Sequence, residues 1–324
     1  MNASIVTGAA GFVGSHLVDR LAAQGRHVLA IDNLVTGRVA NLERAISQGS
    51  ATFVYADIAE NLGHLRQIVA DAGVTNVSEV YHLASPASPE AYGAHPWETL
   101  AVNSVGTLET IELALQFSAR YLFASTSEIY GDPLIHPQPE EYFGNVNTIG
   151  PRACYDEGKR FGEAAVSVAV RKRGLQGAIV RLFNCYGPRM EIGDGRLVPA
   201  LLQAATEGRP LPVHGTGKQT RSMTYVDDII TGMILVARMQ INDVIPVNLG
   251  TEDERTVEEI ARTFARVINV PFEPEFLPPR PEDPQRRRPV ISRARALGWE
   301  PTTSLEEGLR ATHLWFTTEA LAYA

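Results

Sequence analysis

The sequence predicts an α/β protein built on a doubly wound parallel sheet, with a smaller α/β lobe beside it. Three observations carry this. Short apolar runs alternate with amphipathic stretches through the first half of the chain. A glycine-rich turn joins the first apolar run to the first helical pattern. The second half changes character, with more proline and glycine and a segment, 271–289, dense in proline and charge.

The elements follow in order. Strands are expected at 4–6, 28–31, 52–55, 79–83, 121–125 and 178–183, with helices between them at 13–24, 63–71, 98–117 and 155–173. Strand then helix, repeated, gives parallel neighbours joined by right-handed crossovers, with the ligand at the C-terminal strand ends. Later helices are expected at 198–207, 227–239 and 256–268, and Pro278, Pro279 and Pro281 mark a loop. The expected division is a Rossmann-type dinucleotide domain over 1–183, to which 224–250 returns. A substrate lobe is made from 184–223 and 251–324.

Composition narrows the function. The chain has 324 residues, 44% hydrophobic and 20% charged, which is an ordinary folded globule. A formal net charge of -8 argues against a general nucleic-acid or anionic-membrane binder. No apolar run approaches the roughly 18 residues of a membrane span. The first residues lack a basic n-region and run straight into a strand, so no signal peptide is expected. The 2 cysteines, Cys154 and Cys185, make no disulfide framework, and a reducing cytoplasmic setting is expected. The 8 histidines show no ligand spacing, so no metal is expected.

Gly8, Gly11 and Gly14 form G-x-x-G-x-x-G between the first strand and first helix. Such glycines permit a tight turn and close approach to a pyrophosphate, whose charge the helix N-terminus favours. Asp32 follows Gly14 at the end of the second strand, where a carboxylate accepts ribose hydroxyls and repels a 2'-phosphate. That points to NAD over NADP. Arg38 stands against this, because an arginine can accommodate a 2'-phosphate. Asp57 and Ile58, after the third strand, are placed to cap the adenine edge.

Tyr155 and Lys159 are spaced i,i+4 at the start of a helix and share a face. A phenol titrates near 10, too high for a base at neutral pH. A neighbouring ammonium and a positive nicotinamide ring would lower it. The spacing alone also describes an ordinary helix face. The hydroxyl run Ser125, Thr126, Ser127 after a strand adds donors for a reacting oxygen.

With these residues the chain resembles the extended short-chain dehydrogenase/reductase family, which acts on nucleotide-linked sugars. The segments are TGAAGFVG from Thr7, FNCYGP from Phe183 and the Ser/Thr–Tyr–Lys set. Within the family it is most similar to the UDP-glucuronate decarboxylases (UDP-xylose synthases). That match rests on HLASPASP from His82, STSEIYGD from Ser125, GPRACYDEGKR from Gly150 and DPQRRRP from Asp283, and it runs from Ile5 to about Phe316.

The resemblance implies a tightly held NAD, reduced and reoxidised in each turnover. It implies Tyr155 as base, Lys159 orienting it and touching the nicotinamide ribose, and Thr126 supporting the reacting oxygen at C4. Ser127, Glu128 and Arg287 would be the decarboxylase-specific groups. Arg287 sits within Arg286–Arg288, and such a run is otherwise a solvated face. Further cofactor contacts are implied at Phe12, Val13, Asn33, Leu83, Ala84, Ser85 and Asn103. Asn184, Arg196, Val198, Arg221 and Tyr225 would join Arg287 in holding the UDP-sugar. The helices 98–117 and 155–173 resemble those of the family's four-helix homodimer.

The chain also departs from the pattern. Leu197-Val198-Pro199-Ala200 looks like the epimerases, Thr148 replaces a usual proline, and Ser222-Met223-Thr224 replaces Ala-Phe-Gln. Release of some 4-keto pentose is left open by these changes. The rival readings are a UDP-glucuronate 4-epimerase, a nucleotide-sugar 4,6-dehydratase and a non-catalytic NAD-binding regulator. The dehydratase lacks its Asp, because Ser127 stands there. The regulator has no need for Tyr155, Lys159 and the hydroxyl run together.

Overall fold

Seven strands form one sheet: β1 Asn2–Thr7, β2 Val28–Asp32, β3 Ala51–Tyr55, β4 Asn76–His82, β5 Arg120–Thr126, β6 Gln176–Leu182 and β7 Val247–Leu249. The computed structural model describes residues 1–61, 63–239, 244–280 and 283–318. The expected loop marker Pro281, and residues 240–243 and 319–324 of the expected segments, lie outside the described residues. The strand order is β7-β6-β5-β4-β1-β2-β3, and every neighbour is parallel. The chain winds outward from β1 one way, then returns to β4 and winds the other way. The switch point lies between β1 and β4, and a ligand cleft belongs at their C-terminal ends.

Successive strand residues face opposite sides, so each strand feeds two cores. Val6, Ala30, Leu122 and Val180 pack with Leu17, Val18, Ile229, Ile230 and Met233, from the helices Phe12–Ala23 and Val226–Ala237. Ile5, Leu29, Phe123 and Ile179 pack with Leu65, Ile68, Ile111 and Val166, from His64–Asp71, Thr107–Gln116 and Ala153–Arg173. Truncating a fully buried Leu17 to alanine would cost about 2–5 kcal/mol.

The lobe has its own core, built from Tyr186, Leu201, Leu211, Val213, Ile260, Phe264 and Leu309. Its helix Val257–Ile268 begins with a capping box. Glu259 N donates to Thr256 Oγ1 at 3.1 Å, and Thr256 N donates to Glu259 Oε2 at 2.8 Å.

The expected helix 98–117 is divided. A helix Pro96–Ala101 passes through one wide turn, Val102–Gly106, into Thr107–Gln116. Hydroxyls bond back to carbonyls here: Ser104 Oγ to Leu100 at 2.6 Å and Thr107 Oγ1 to Asn103 at 2.8 Å. Gly106 brings the turn against Ile58, which a Cβ would approach to 3.1 Å. Elements not expected include β7, the helix Leu305–Thr318 and a parallel pair formed by Leu211–His214 and Pro274–Leu277.

Candidate active site

One cleft crosses the C-terminal strand ends in two halves that share Val13, Leu83, Ser85, Ala87 and Arg196. The first half, about 590 Å³, is lined by the glycine turn, Asp32, Asn33, Arg38, Asp57, Ile58 and Leu83–Ser85. The second, about 280 Å³, is lined by Thr126–Glu128, Arg152, Tyr155, Lys159, Asn184, Arg196, Val198, Arg221 and Arg287.

The glycine turn is required first by its own packing. Gly8 has φ +68, and a Cβ on it would stand 2.8 Å from Ala84 Cα; one on Gly14 would stand 2.0 Å from Gly8 O. The helix Phe12–Ala23 starts at Gly11 with no side chain capping its first N–H groups, so these remain as donors at the cleft.

Asp32 accepts from Ala10 N at 2.9 Å and Leu34 N at 2.8 Å. Burial pushes its carboxyl up, and these backbone donors oppose that. Asn33 Nδ2 donates to Asp57 Oδ2 at 3.1 Å, tying the ends of β2 and β3. Arg38 is ion-paired with Glu191, so the arginine that argued for NADP is already matched by a carboxylate. Asn103 is fully buried and lines neither half; it donates to Ser85 Oγ at 2.8 Å. A tight glycine turn, free helix N–H groups and a buried carboxylate at the ribose end together fit a dinucleotide.

In the second half, Thr126 Oγ1 accepts from Glu128 N at 3.2 Å and is hydrogen-bonded to Tyr155. Ser125 also lines this half, and its hydroxyl donates to Glu163 Oε1 at 2.5 Å. Tyr155 stacks on Tyr92 at 5.3 Å. The expected lowering of the Tyr155 phenol by its lysine is absent here: burial pushes the phenol up. Lys159 Nζ donates to Ala124 O at 2.9 Å, and burial pushes the amine down to about 7.

Glu128 is the centre of a charge cluster. Arg287 grips it with both nitrogens, Nη1–Oε1 at 2.5 Å and Nη2–Oε2 at 2.8 Å, and Arg152 Nη2 also bonds Oε2. Burial pushes Glu128 up, but Arg287 and Arg152 outweigh it and hold the carboxyl at about 2. Asp156, behind Arg152, is pushed the other way. Burial and the neighbouring Glu128 raise it to about 7, and its Oδ1 is buried without a partner. Sequence reasoning missed Arg152. Its signal was position, one helical turn before Tyr155 and two before Lys159.

Arg221 bonds Asp283 Oδ1 at 2.6 Å and the carbonyl of Pro284 at 2.9 Å, and so holds the segment that carries Arg287. Arg196 pairs with Asp194 and lies over Phe12. Asn184 Oδ1 is buried without a protein partner, as suits a group facing a polar ligand. Tyr225 lines neither half and instead meets Tyr186 edge-on.

A family model described as the NAD dependent epimerase/dehydratase family matches residues 4–250. UDP-glucuronic acid decarboxylase 1 of Xenopus tropicalis is 45% identical over 316 residues, 97% of this chain and 72% of that protein. The UDP-glucose 4-epimerase of Thermotoga maritima, solved with UDP-glucose, superposes with a TM-score of 0.88 at 30% identity, over 99% of this chain and 100% of that one. MoeE5, solved with UDP-glucuronic acid and NAD, superposes with a TM-score of 0.82 at 26% identity, over 97% and 99%.

Proposed function

The chain belongs to the NAD-dependent epimerase/dehydratase family, and from that premise we propose that it is a UDP-glucuronate decarboxylase, making UDP-xylose with NAD as its cofactor. The observation that carries this is the Arg287–Glu128–Arg152 cluster beside Tyr155 and Thr126. It offers two guanidiniums for a sugar carboxylate at the place where a C4 hydroxyl would meet a base. The likeness to UDP-glucuronic acid decarboxylases over nearly the whole chain supports the same reading.

Bound NAD supplies the oxidant for C4 and returns the electrons after carbon dioxide has left. Gly8, Gly11, Phe12, Val13 and Gly14 would hold its pyrophosphate, and Asp32 its adenosine ribose. Tyr155 takes the C4 hydroxyl proton, and Thr126 donates to the same oxygen. Its phenol is raised by burial, so its base function depends on the positive charge of the oxidised cofactor. The 4-ketone is then β to the C6 carboxylate. The C5–C6 bond breaks, its electron pair enters the C4–C5 enolate, and Thr126 and Tyr155 stabilise the oxygen.

Arg287 and Arg152 orient the carboxylate before it leaves. Glu128 already fills that place in the free protein, so substrate must share or displace it. C5 then takes a proton from solvent through a water; Glu128, held ionised, accepts a hydrogen bond from that water and orients it. Residues 1–183 with 224–250 hold NAD, and 184–223 with 251–324 hold the UDP-sugar.

The same reading places the protein in the cytosol, where its two free cysteines stay reduced. No helix among the described residues is long and apolar enough to cross a membrane. It pairs two copies through the segment Pro96–Gln116 and the helix ending in Arg173, where Trp97, Leu108, Phe161 and Val168 are exposed. A second reading, a UDP-glucuronate 4-epimerase, draws on the epimerase-like Leu197–Ala200 segment.

The test is incubation of the protein with UDP-glucuronate and NAD, with products resolved by mass. Loss of carbon dioxide is expected, and the ratio of pentose to 4-keto pentose measures how fully the cycle closes. An isobaric product that separates from the substrate would establish the epimerase instead.

A further inference from the structure

Arg38 lines the cofactor half, and its chemistry favours the wrong dinucleotide. It lies beside the carboxylate meant for the adenosine ribose. Gly37 packs against Asp32, so closely that a Cβ would stand 3.0 Å from Asp32 Oδ1, and Arg38 N donates to Ala10 O at 3.0 Å. The Arg38 backbone is therefore fixed at the ribose end. A guanidinium there, with five donors in a rigid fork, suits a 2'-phosphate.

The structure gives that guanidinium another acceptor. Glu191 comes from the segment after β6, 153 residues away, and pairs with Arg38 across the mouth of the cofactor half. Asp32, Gly37, Arg38, Asn41, Glu191 and Ile192 line this end together. Both members of the pair are half-exposed, so it adds little to stability. Its larger effect is on local charge. With Glu191 present, Arg38 is neutralised and Asp32 leaves the ribose end negative. Without it, Arg38 and Asp32 cancel, and Arg38 keeps free donors.

We propose that Glu191 is a cofactor-specificity residue, which occupies Arg38 and so denies a 2'-phosphate the guanidinium that stands beside Asp32. This rests on the reading that the cleft holds NAD. Specificity of this kind comes from what repels or withholds a partner from the competitor as much as from contacts to the chosen ligand. Asp32 supplies the first such element, and Glu191 the second.

The test is the partition of dinucleotides on the intact protein. Wild type, E191Q, R38A and E191Q/R38A are equilibrated with mixtures of NAD and NADP, freed of unbound nucleotide, and the bound nucleotide is quantified by mass. Wild type is expected to retain NAD. E191Q should shift the NADP:NAD partition toward NADP by about tenfold, the worth of one charge-assisted hydrogen bond. E191Q/R38A should return to the wild-type partition, because the effect acts through Arg38. R38A alone should not move toward NADP. An unchanged partition in E191Q, or a shift that persists in E191Q/R38A, overturns the proposal while leaving the NAD reading intact. Protein that retains neither dinucleotide refutes both.

Discussion

Replacing Glu128 by glutamine should separate the two halves of the reaction. The substitution keeps the shape and removes one negative charge from between Arg287 and Arg152. A carboxyl held at about 2, against 4.5 for the free group, prefers its ionised form by about 3 kcal/mol. Because the folded value is the lower one, that stabilisation is present above about pH 4.5 and is lost as pH falls toward 2. At neutral pH, E128Q should therefore be less stable than wild type by up to that amount, a shift that denaturant titration can read.

The kinetic effect falls on one step. Tyr155 and Thr126 serve C4 oxidation and keep their side chains, so formation of NADH should change by less than about tenfold. Proton delivery to C5 loses the carboxylate that orients its water, so protonation of the enolate and the reoxidation of NADH that follows it should slow by about 10²–10⁴. Substrate affinity should not fall, since two guanidiniums are left with the sugar carboxylate as their anion. Single-turnover mixing with UDP-glucuronate, following NADH absorbance and released carbon dioxide together, distinguishes the steps. NADH that rises and persists is the expected record. An equal loss of NADH formation and NADH reoxidation would refute a separate role for Glu128.

Tyr155→Phe should lower C4 oxidation by at least about 10²-fold while bound NAD is retained, as nucleotide analysis of the purified variant would show; full activity would remove Tyr155 from the mechanism. Arg287→Ala should weaken discrimination between UDP-glucuronate and UDP-glucose by about 10–100-fold in kcat/KM, and unchanged selectivity would move the carboxylate site to Arg152. Asp156 is raised to about 7 from 3.8, so the folded protein holds a proton that the unfolded chain gives up, and stability falls as pH rises between those values. Asp156→Asn should flatten that fall and be at least as stable as wild type at about pH 8 by denaturant titration; a less stable variant there would mean Asp156 is ionised and paired.

The central sheet was legible because its strands are long enough to show their own pattern. β2 is expected at 28–31 and observed at Val28–Asp32, an apolar run buried on both faces. β7 was not legible. It has three residues, and its middle one is Asn248. What makes it a strand is pairing with β6 and the bonds of the buried Asn248 amide to the carbonyls of Gln138, 3.0 Å, and Val290, 3.1 Å. None of those partners is near it in sequence. The divided helix at 96–116 escaped for the opposite reason: its apolar periodicity continues through the wide turn Val102–Gly106.

The candidate site divides along the same line. Tyr155 and Lys159 declare themselves through helical spacing, and Gly8 and Gly14 through a turn that tolerates no Cβ. The charge states do not, because each belongs to a set of partners. Glu128 and Asp156 are both buried carboxylates near Arg152, yet one is held at about 2 and the other at about 7. The difference is the direct grip of Arg287, 159 residues from Glu128, together with the negative charge that Glu128 then sets against Asp156. Its own place is set by backbone. The segment is pinned to Gln138, which receives Arg288 N on its side chain at 2.9 Å and Val290 N on its carbonyl at 2.9 Å. Beside that anchor Arg286 is exposed, and Arg287 is buried and turns inward to Glu128. Three consecutive arginines look alike in composition. The strand-like pinning at Gln138 decides which one reaches the cleft, and a variant that shifts that register by one residue would take the guanidinium away from Glu128 without altering the composition of the run.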